Sequence, residues 1–169
     1  MAASDDLRDA LVREVEYRIY EECVPRIRKC LDQLSNEQIW WRPNDNSNSI
    51  GNLVLHLCGN VRQWIYAGLG QNEDVRHRQA EFDRREMMDK QELDSILIET
   101  MEMVRPVINN IPVEELLAIR SVQTFEETGL TILVHVTEHF SYHTGQIAYI
   151  TKMLADKPLG FYDGIPLDV

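Results

Sequence analysis

The chain has 169 residues, 44% of them hydrophobic and 27% charged, which suits a folded domain and excludes a fibrous or wholly disordered chain. Its net charge of −11 repels phosphate backbones and anionic lipid surfaces, so neither nucleic acid nor membrane is an expected partner. No run approaches the ~18 consecutive apolar residues of a membrane span.

In chain order, the acidic start Met1-Ala2-Ala3-Ser4-Asp5-Asp6 lacks the basic flank and apolar segment of a secretory signal. Cys23, Cys30 and Cys58 are odd in number and form no CxxC pair, the pattern of reduced thiols in a cytoplasmic protein. The first predicted helix covers roughly 5–34, with Leu7, Leu11, Val15, Ile19, Ile27, Leu31 and Leu34 mostly four residues apart. A spacing of four drifts by about 40° per step on a straight α-helix, so this stripe must wind. Pro25 is placed to kink the helix and reset its face. Ser35-Asn36-Glu37-Gln38 has the form of a capping box, opening a short turn before Trp40-Trp41-Arg42-Pro43.

The polar connector 44–49 ends in Ser49, a good N-cap for a second helix over roughly 50–68. Its stripe is Ile50, Leu53, Val54, Leu57, Val61, Trp64 and Ile65, and Gly68 and Gly70 end it. Trp64 and the thiol of Cys58 read as core. Segment 71–88 mixes Arg76, His77, Arg78, Arg84 and Arg85 with acids. It reads as a long crossover, with Arg76 and Arg78 solvated rather than forming an anion site. Asp89-Lys90-Gln91-Glu92 resembles a second capping box and opens a third helix carrying Leu93, Ile96, Leu97, Thr100, Val104, Val107 and Ile108. Pro106 is placed to bend it, and Asn109-Asn110-Ile111-Pro112 closes it. Residues 113–127 read as a connector with one helical turn at 113–118. The fourth helix covers roughly 129–155, with Ile132, Leu133, Val136, Phe140, Ile147, Ile150 and Leu154 as its stripe. Four amphipathic helices without alternating strand patterns argue an all-α four-helix bundle forming one domain, 1–169.

Three of the five histidines, His135, His139 and His143, follow one another at spacings of four in the last helix, so their imidazoles lie nearly above one another. With Ile132 at zero on a helical wheel, His139 falls near roughly −20° and His143 near roughly +20°, within the core stripe. His135 falls at its edge, near roughly −60°. Two imidazoles on a buried face need partners, and one shared metal satisfies both lone pairs. A third ligand is needed. His56, between Leu53 and Leu57, flanks its own stripe, and by spacing alone it is equally a ligand or a half-exposed flank residue. His77 lies in the charged crossover and reads as solvated.

The string from His135 through Glu138, His139, His143, Gly145 and Gln146 to Ile147 resembles the HxxxHxxxHxGQI signature in the last helix of the DinB-like metal-binding four-helix bundles. Asn52-Leu53-Val54-Leu55-His56-Leu57 is similar to the second-helix histidine segment of that superfamily. The runs 47–52 and 59–64, with Glu81-Phe82, look like a bacterial subfamily of unknown function. The resemblance implies a four-helix bundle with a long crossover between helices 2 and 3. It also implies one divalent metal held by His56, His139 and His143, with His135 outside the ligand set, and a dimeric assembly.

Three imidazoles leave a position open for water or substrate, the pattern of catalytic rather than closed structural zinc sites. Nickel, zinc and iron all accept imidazole. Relatives implied by the resemblance include transferases and isomerases using low-molecular-weight thiols, and proteins described only as hydrolases. The expected function is therefore a metal-dependent enzyme acting on a small molecule by thiol-dependent S-transfer or hydrolysis. The alternative is a non-catalytic metal-binding homodimer acting through protein contacts. His135-Val136-Thr137-Glu138-His139 also matches the HxxEH pattern of inverted zinc proteases. Only 30 residues follow His139, too few for the downstream carboxylate ligand, and Glu138 projects away from the inner face. A di-iron carboxylate bundle is excluded because its paired Glu-x-x-His motifs are missing. Gly145 either permits close helix packing or leaves room beside the metal.

Overall fold

The computed structural model describes residues 2–167; Met1, Asp168 and Val169, which the single-domain reading includes, lie outside the described residues. Helix α1 comprises Ala2–Glu16, a π-helical segment Tyr17–Cys23 and a further α segment Val24–Asp32. Short α2 is Asn36–Trp40, and α3 is Ile50–Val61 continued by a π segment, Arg62–Leu69. Helix α4 is Arg78–Asp83 and α5 is Lys90–Asn109. A 3₁₀ turn, Val113–Leu116, leads into antiparallel strands β1, Ile119–Val122, and β2, Phe125–Thr128, and α6 is Gly129–Ala155. The described residues are thus mostly helical with one small two-stranded sheet. No described helix is long and apolar enough to cross a membrane.

The two helices whose stripes keep to a spacing of four are the two that contain π segments. At each, an N–H reaches five residues back: Val24 to Ile19 and Gly70 to Ile65. A π turn takes in more residues than an α turn, so it reverses the drift that a spacing of four accumulates on an α-helix. Val15, Ile19, Cys23, Ile27 and Leu31 stay buried together, as do Leu53, Leu57, Val61, Ile65 and Leu69. Pro25 follows the first π segment, where its missing N–H and bulky ring disfavour a regular α turn. Leu7, predicted to open the stripe, is 70% exposed. Eight α-helical residues before Val15 it has rotated about 80° off the face, which Val12 occupies instead.

One hydrophobic cluster draws on every long helix. Ile19, Ile27, Leu57, Ile65, Leu93, Leu97, Ile132, Leu133 and Phe140 are fully buried, each worth about 1.5–3 kcal/mol of transfer free energy. Cys23, Cys30 and Cys58 are all free and buried. The predicted caps form. Ser35 and Gln38 make a reciprocal box and Ser49 and Asn52 another, while Asp89 caps its helix by accepting from the Gln91 N–H rather than through a box with Glu92; Thr128, not singled out from the sequence, caps α6 by accepting from the Thr131 N–H.

One expectation needs correction and another gains detail. The connector 113–127 contains a hairpin, although no strand pattern is visible. Its strands are four residues each, too short to display alternation, and the turn uses Gln123 at φ 56° rather than a glycine. Val122 is buried, and a Cβ added at Gly68 would collide with it, so the missing side chain on α3 lets the hairpin dock. The crossover 71–88 is also not featureless. It carries α4, packed on α3 and tied there by Asn52, whose amide donates to the carbonyls of Glu81, at 2.7 Å, and Arg84, at 3.2 Å.

Candidate metal centre

The cap at Ser49 sets the start of α3, and the buried run Leu53, Val54, Leu57 orients the helix. His56, one residue short of Leu57, therefore points between α3 and α6 and is 5% exposed. On α6, Ile132, Val136, Phe140 and Ile147 face the core. His143 is buried and His139 half-buried at the margin of that face. One ring nitrogen from each of His56, His139 and His143 lies within 4.8 Å of the other two. The Nε2 atoms of His56 and His139 are 2.9 Å apart. Ring centroids are 4.9 Å apart for His56–His139, 5.1 Å for His56–His143 and 4.5 Å for His139–His143.

Two of these rings have their far nitrogens occupied. The Nδ1 of His143 lies 2.7 Å from Gln146 Oε1. An amide oxygen only accepts, so Nδ1 carries the hydrogen and Nε2 is left with its lone pair. The Nδ1 of His56 lies 2.9 Å from Glu81 Oε2. Burial raises the Glu81 carboxyl, but hydrogen bonds from Arg76 and His56 more than offset this and hold it below its ordinary range. Burial, then the neighbouring His143, His56, His135 and Arg76, lower His139 to about 3. Burial also lowers His143, with Gln146 acting in the opposite sense. His139 and His143 are therefore neutral at pH 7, the form a metal requires. The set fits a divalent cation of intermediate softness, with imidazole nitrogens converging and no protein carboxylate or thiolate among them.

His135 is brought to the same neighbourhood but not into the cluster. It is half-buried, its ring lies 4.1 Å from that of Trp64, and its Nε2 is 3.5 Å from the Asn60 amide nitrogen. Burial lowers its pKa as well. With His56, His139, Asn60, Trp64, Gln123, Phe125 and Glu127 it lines a cavity of about 260 Å³. Trp64, expected as plain core, is buried yet forms a wall of this cavity, and among the described residues neither its Nε1 nor Asn60 Oδ1 has a hydrogen-bond partner.

Arg76 overturns the reading of the crossover arginines as solvated. Its side chain is 3% exposed, because its guanidinium clasps Glu81 through Nε at 2.7 Å and NH2 at 2.8 Å while NH1 donates to Gln63 Oε1 at 2.9 Å. A buried charge this deep requires its pair. Arg78 stacks over Phe82 instead, and His77 is exposed. Burial pushes the Cys58 thiol up to about 12, which makes it inert packing. Among the described residues nothing lies within 4 Å of the position a Cβ of Gly145 would take, so it serves no close helix contact there. The spacing of residues alone gives no sign of Glu81 or Arg76. Beyond the subfamily resemblance that includes Glu81, a local hint is Gly59, in mid-helix one turn beyond His56, where a Cβ would collide with Glu81 Oε1.

Residues 11–161 match the model of a family described as protein of unknown function (DUF1572), so the chain belongs to that family. A search of curated proteins finds no match.

Proposed function

We propose that this member of the DUF1572 family is a metal-dependent protein built as a four-helix bundle of the DinB type, with α1, α3, α5 and α6 as its four helices. His56, His139 and His143 hold one divalent cation, nickel, zinc or iron. The observation that carries this reading is the convergence of three ring nitrogens within 4.8 Å of one another, two of them with the opposite nitrogen engaged by an acceptor. Three imidazoles leave a coordination position free. A cation held there supplies Lewis acidity that lowers the pKa of a bound water or thiol toward neutrality. The chain's own residues supply the rest. The cavity walls Trp64 and Phe125 present apolar rings, Asn60 and Trp64 offer unused hydrogen-bonding groups, and His135 is a neutral imidazole able to take up a proton. This arrangement suits a small-molecule reaction, either transfer to or from a low-molecular-weight thiol or hydrolysis.

Elemental analysis of protein purified without chelators tests the first step, with one equivalent of a divalent ion expected. Calorimetric titration of stripped protein with zinc, nickel and iron(II) then orders the metals. A wild-type chain that takes up none of them overturns the reading. Turnover by the loaded protein of thiol conjugates or ester substrates separates transferase from hydrolase.

One observation favours the second reading, a non-catalytic homodimer. The outer face of α6 exposes Leu130, Val134, Tyr142, Tyr149 and Met153, an apolar row at helical spacing. Light scattering at micromolar concentration would return twice 19.7 kDa if this row pairs, and metal binding without turnover across both substrate classes would favour this reading.

A further inference from the structure

We propose that Glu81 is a positioning residue for His56: it fixes the Nδ1–H tautomer of that ring and holds Nε2 toward His139 and His143. The inference rests on the metal-binding reading of the cluster. Two contacts compete for His56 Nδ1. Glu81 Oε2 is 2.9 Å away and Arg76 NH2 is 3.1 Å away. If Nδ1 carried a lone pair it could accept from Arg76, but that lone pair would then face a carboxylate oxygen at hydrogen-bond distance in a buried site. A carboxylate only accepts, and Arg76 NH2 already donates to the same Glu81 oxygen at 2.8 Å, so it does not need the ring as an acceptor. The bond to Glu81 therefore wins, and Nε2 is left as the lone-pair nitrogen.

The surrounding residues hold the carboxylate in place. Arg76 binds it through two nitrogens, and Gln63, itself bonded to Asp74 at 2.6 Å, holds Arg76 from the other side. Phe82, next in sequence, packs its ring 4.6 Å from that of His56. Gly59 leaves the space that Glu81 Oε1 fills. An anionic acceptor behind a ligating imidazole both orients the ring and raises its basicity, which the neutral Gln146 behind His143 does only in part.

The test uses the full chain and zinc(II), with affinity read by chelator competition and the tautomer of the metal-free protein read from imidazole ¹⁵N shifts above pH 7.5. His56 of wild type is expected as the Nδ1–H form. Glu81→Gln, which keeps the shape and removes the charge, should weaken zinc by about 10–100-fold. Gly59→Ala, which displaces the carboxylate without altering it, should weaken zinc in the same range and shift His56 away from a pure Nδ1–H form. The unfolding midpoints of the metal-free variants separate positioning from folding, because a purely structural role would lower the midpoint and leave the zinc affinity of the folded fraction unchanged. Wild-type His56 found as Nε2–H overturns the proposal, as does Glu81→Gln with wild-type affinity. A wild-type chain that binds no zinc overturns the metal reading and this proposal together. If Glu81→Gln does not fold, Gly59→Ala and the wild-type tautomer still decide it.

Discussion

His56 and His143 reach the same point from facing helices, but they are secured in different ways. His143 is held by Gln146, three residues on along α6 and bonded at 2.7 Å, so one helical turn contains both ring and anchor. His56 is held by Glu81, 25 residues away on a helix of six residues, and Glu81 in turn depends on Arg76, Gln63 and the Asn52 tie. One corner of the site is therefore built by helix geometry alone and the other by tertiary structure. A local anchor survives as long as α6 is helical. A distant one requires the crossover to fold against α3, so it is the corner that disturbance reaches first.

The largest effect should come from His139, which lies between the two corners and has its Nε2 2.9 Å from that of His56. His139→Ala should abolish stoichiometric metal, measured by elemental analysis after dialysis, and His143→Ala should do the same. His56→Ala should reduce affinity strongly. Equal retention of metal in all three variants would remove the basis of the comparison. Phe140, next to His139 but wholly buried in the apolar core, sharpens it from the other side. Phe140→Ala should lower the unfolding free energy by about 3–5 kcal/mol in denaturant titration while the folded fraction keeps its metal.

Acid should affect the metal-free protein in a definite direction. His139 is lowered to about 3, and His143 and His135 are lowered too, burial being the first cause in each. The unfolded chain takes up protons on these rings as pH falls through about 6.5, while in the folded chain His139 holds out to about 3 and His143 and His135 take theirs up below their ordinary range. Stability is therefore full above about pH 6.5 and declines as pH drops toward 3. The unfolding midpoint of metal-free protein should fall between pH 7.5 and 5, and His139→Ala should flatten that slope. An unchanged midpoint across this range would mean that the rings are not buried neutral.

The same contrast explains how much of the molecule can be read from its residues. The wheel places His139 and His143 inward because both lie on one helix whose apolar stripe supplies the reference. His56 falls on the flank of its stripe, since the wheel knows nothing of the neighbour that covers that flank, and only the family resemblance singles it out. Arg76 looks like any solvated arginine in a charged crossover, and Glu81 stands out only through the subfamily resemblance, which assigns it no role. Their burial depends on the gap at Gly59 and on Asn52 reaching backbone carbonyls 29 and 32 residues on, and neither fact has a periodicity. The long helices and their caps are legible for the same local reason. The hairpin is not, because four-residue strands and a turn at Gln123 without glycine leave no pattern. The π segments show only indirectly, in stripes that keep a spacing of four where an α-helix would drift.

Gln146→Ala should then cost less zinc affinity than Glu81→Gln. It removes a neutral acceptor behind a ring that the His139 and Tyr142 rings, at 4.5 and 5.0 Å, continue to flank, so the loss should lie at or below the lower end of the roughly 10–100-fold range for such partners. The reverse order, with Gln146 the more costly, would mean that the local anchor rather than the distant one governs the site.

The smallest effect is expected at His135, and it is the most discriminating result. His135 belongs to the same run of histidines at spacings of four, so a site displaced by one turn would use His135 and His139 and leave His143 free. The geometry opposes that register. The ring of His135 lies against Trp64 at 4.1 Å and its Nε2 turns toward Asn60, while its centroid stands 5.5 Å from that of His139 in a stacked, near-parallel arrangement. Stacked rings direct their in-plane nitrogens side by side, whereas the near-perpendicular His139 and His143 rings, at 82°, can converge theirs. His135→Ala should accordingly leave zinc stoichiometry and affinity unchanged by titration calorimetry. It should remove one wall of the cavity, so that turnover, once a substrate is in hand, falls without loss of metal. If His135→Ala strips the metal and His143→Ala retains it, the ligand set is wrong by one turn, and the anchors at Gln146 and Glu81 lose their role with it.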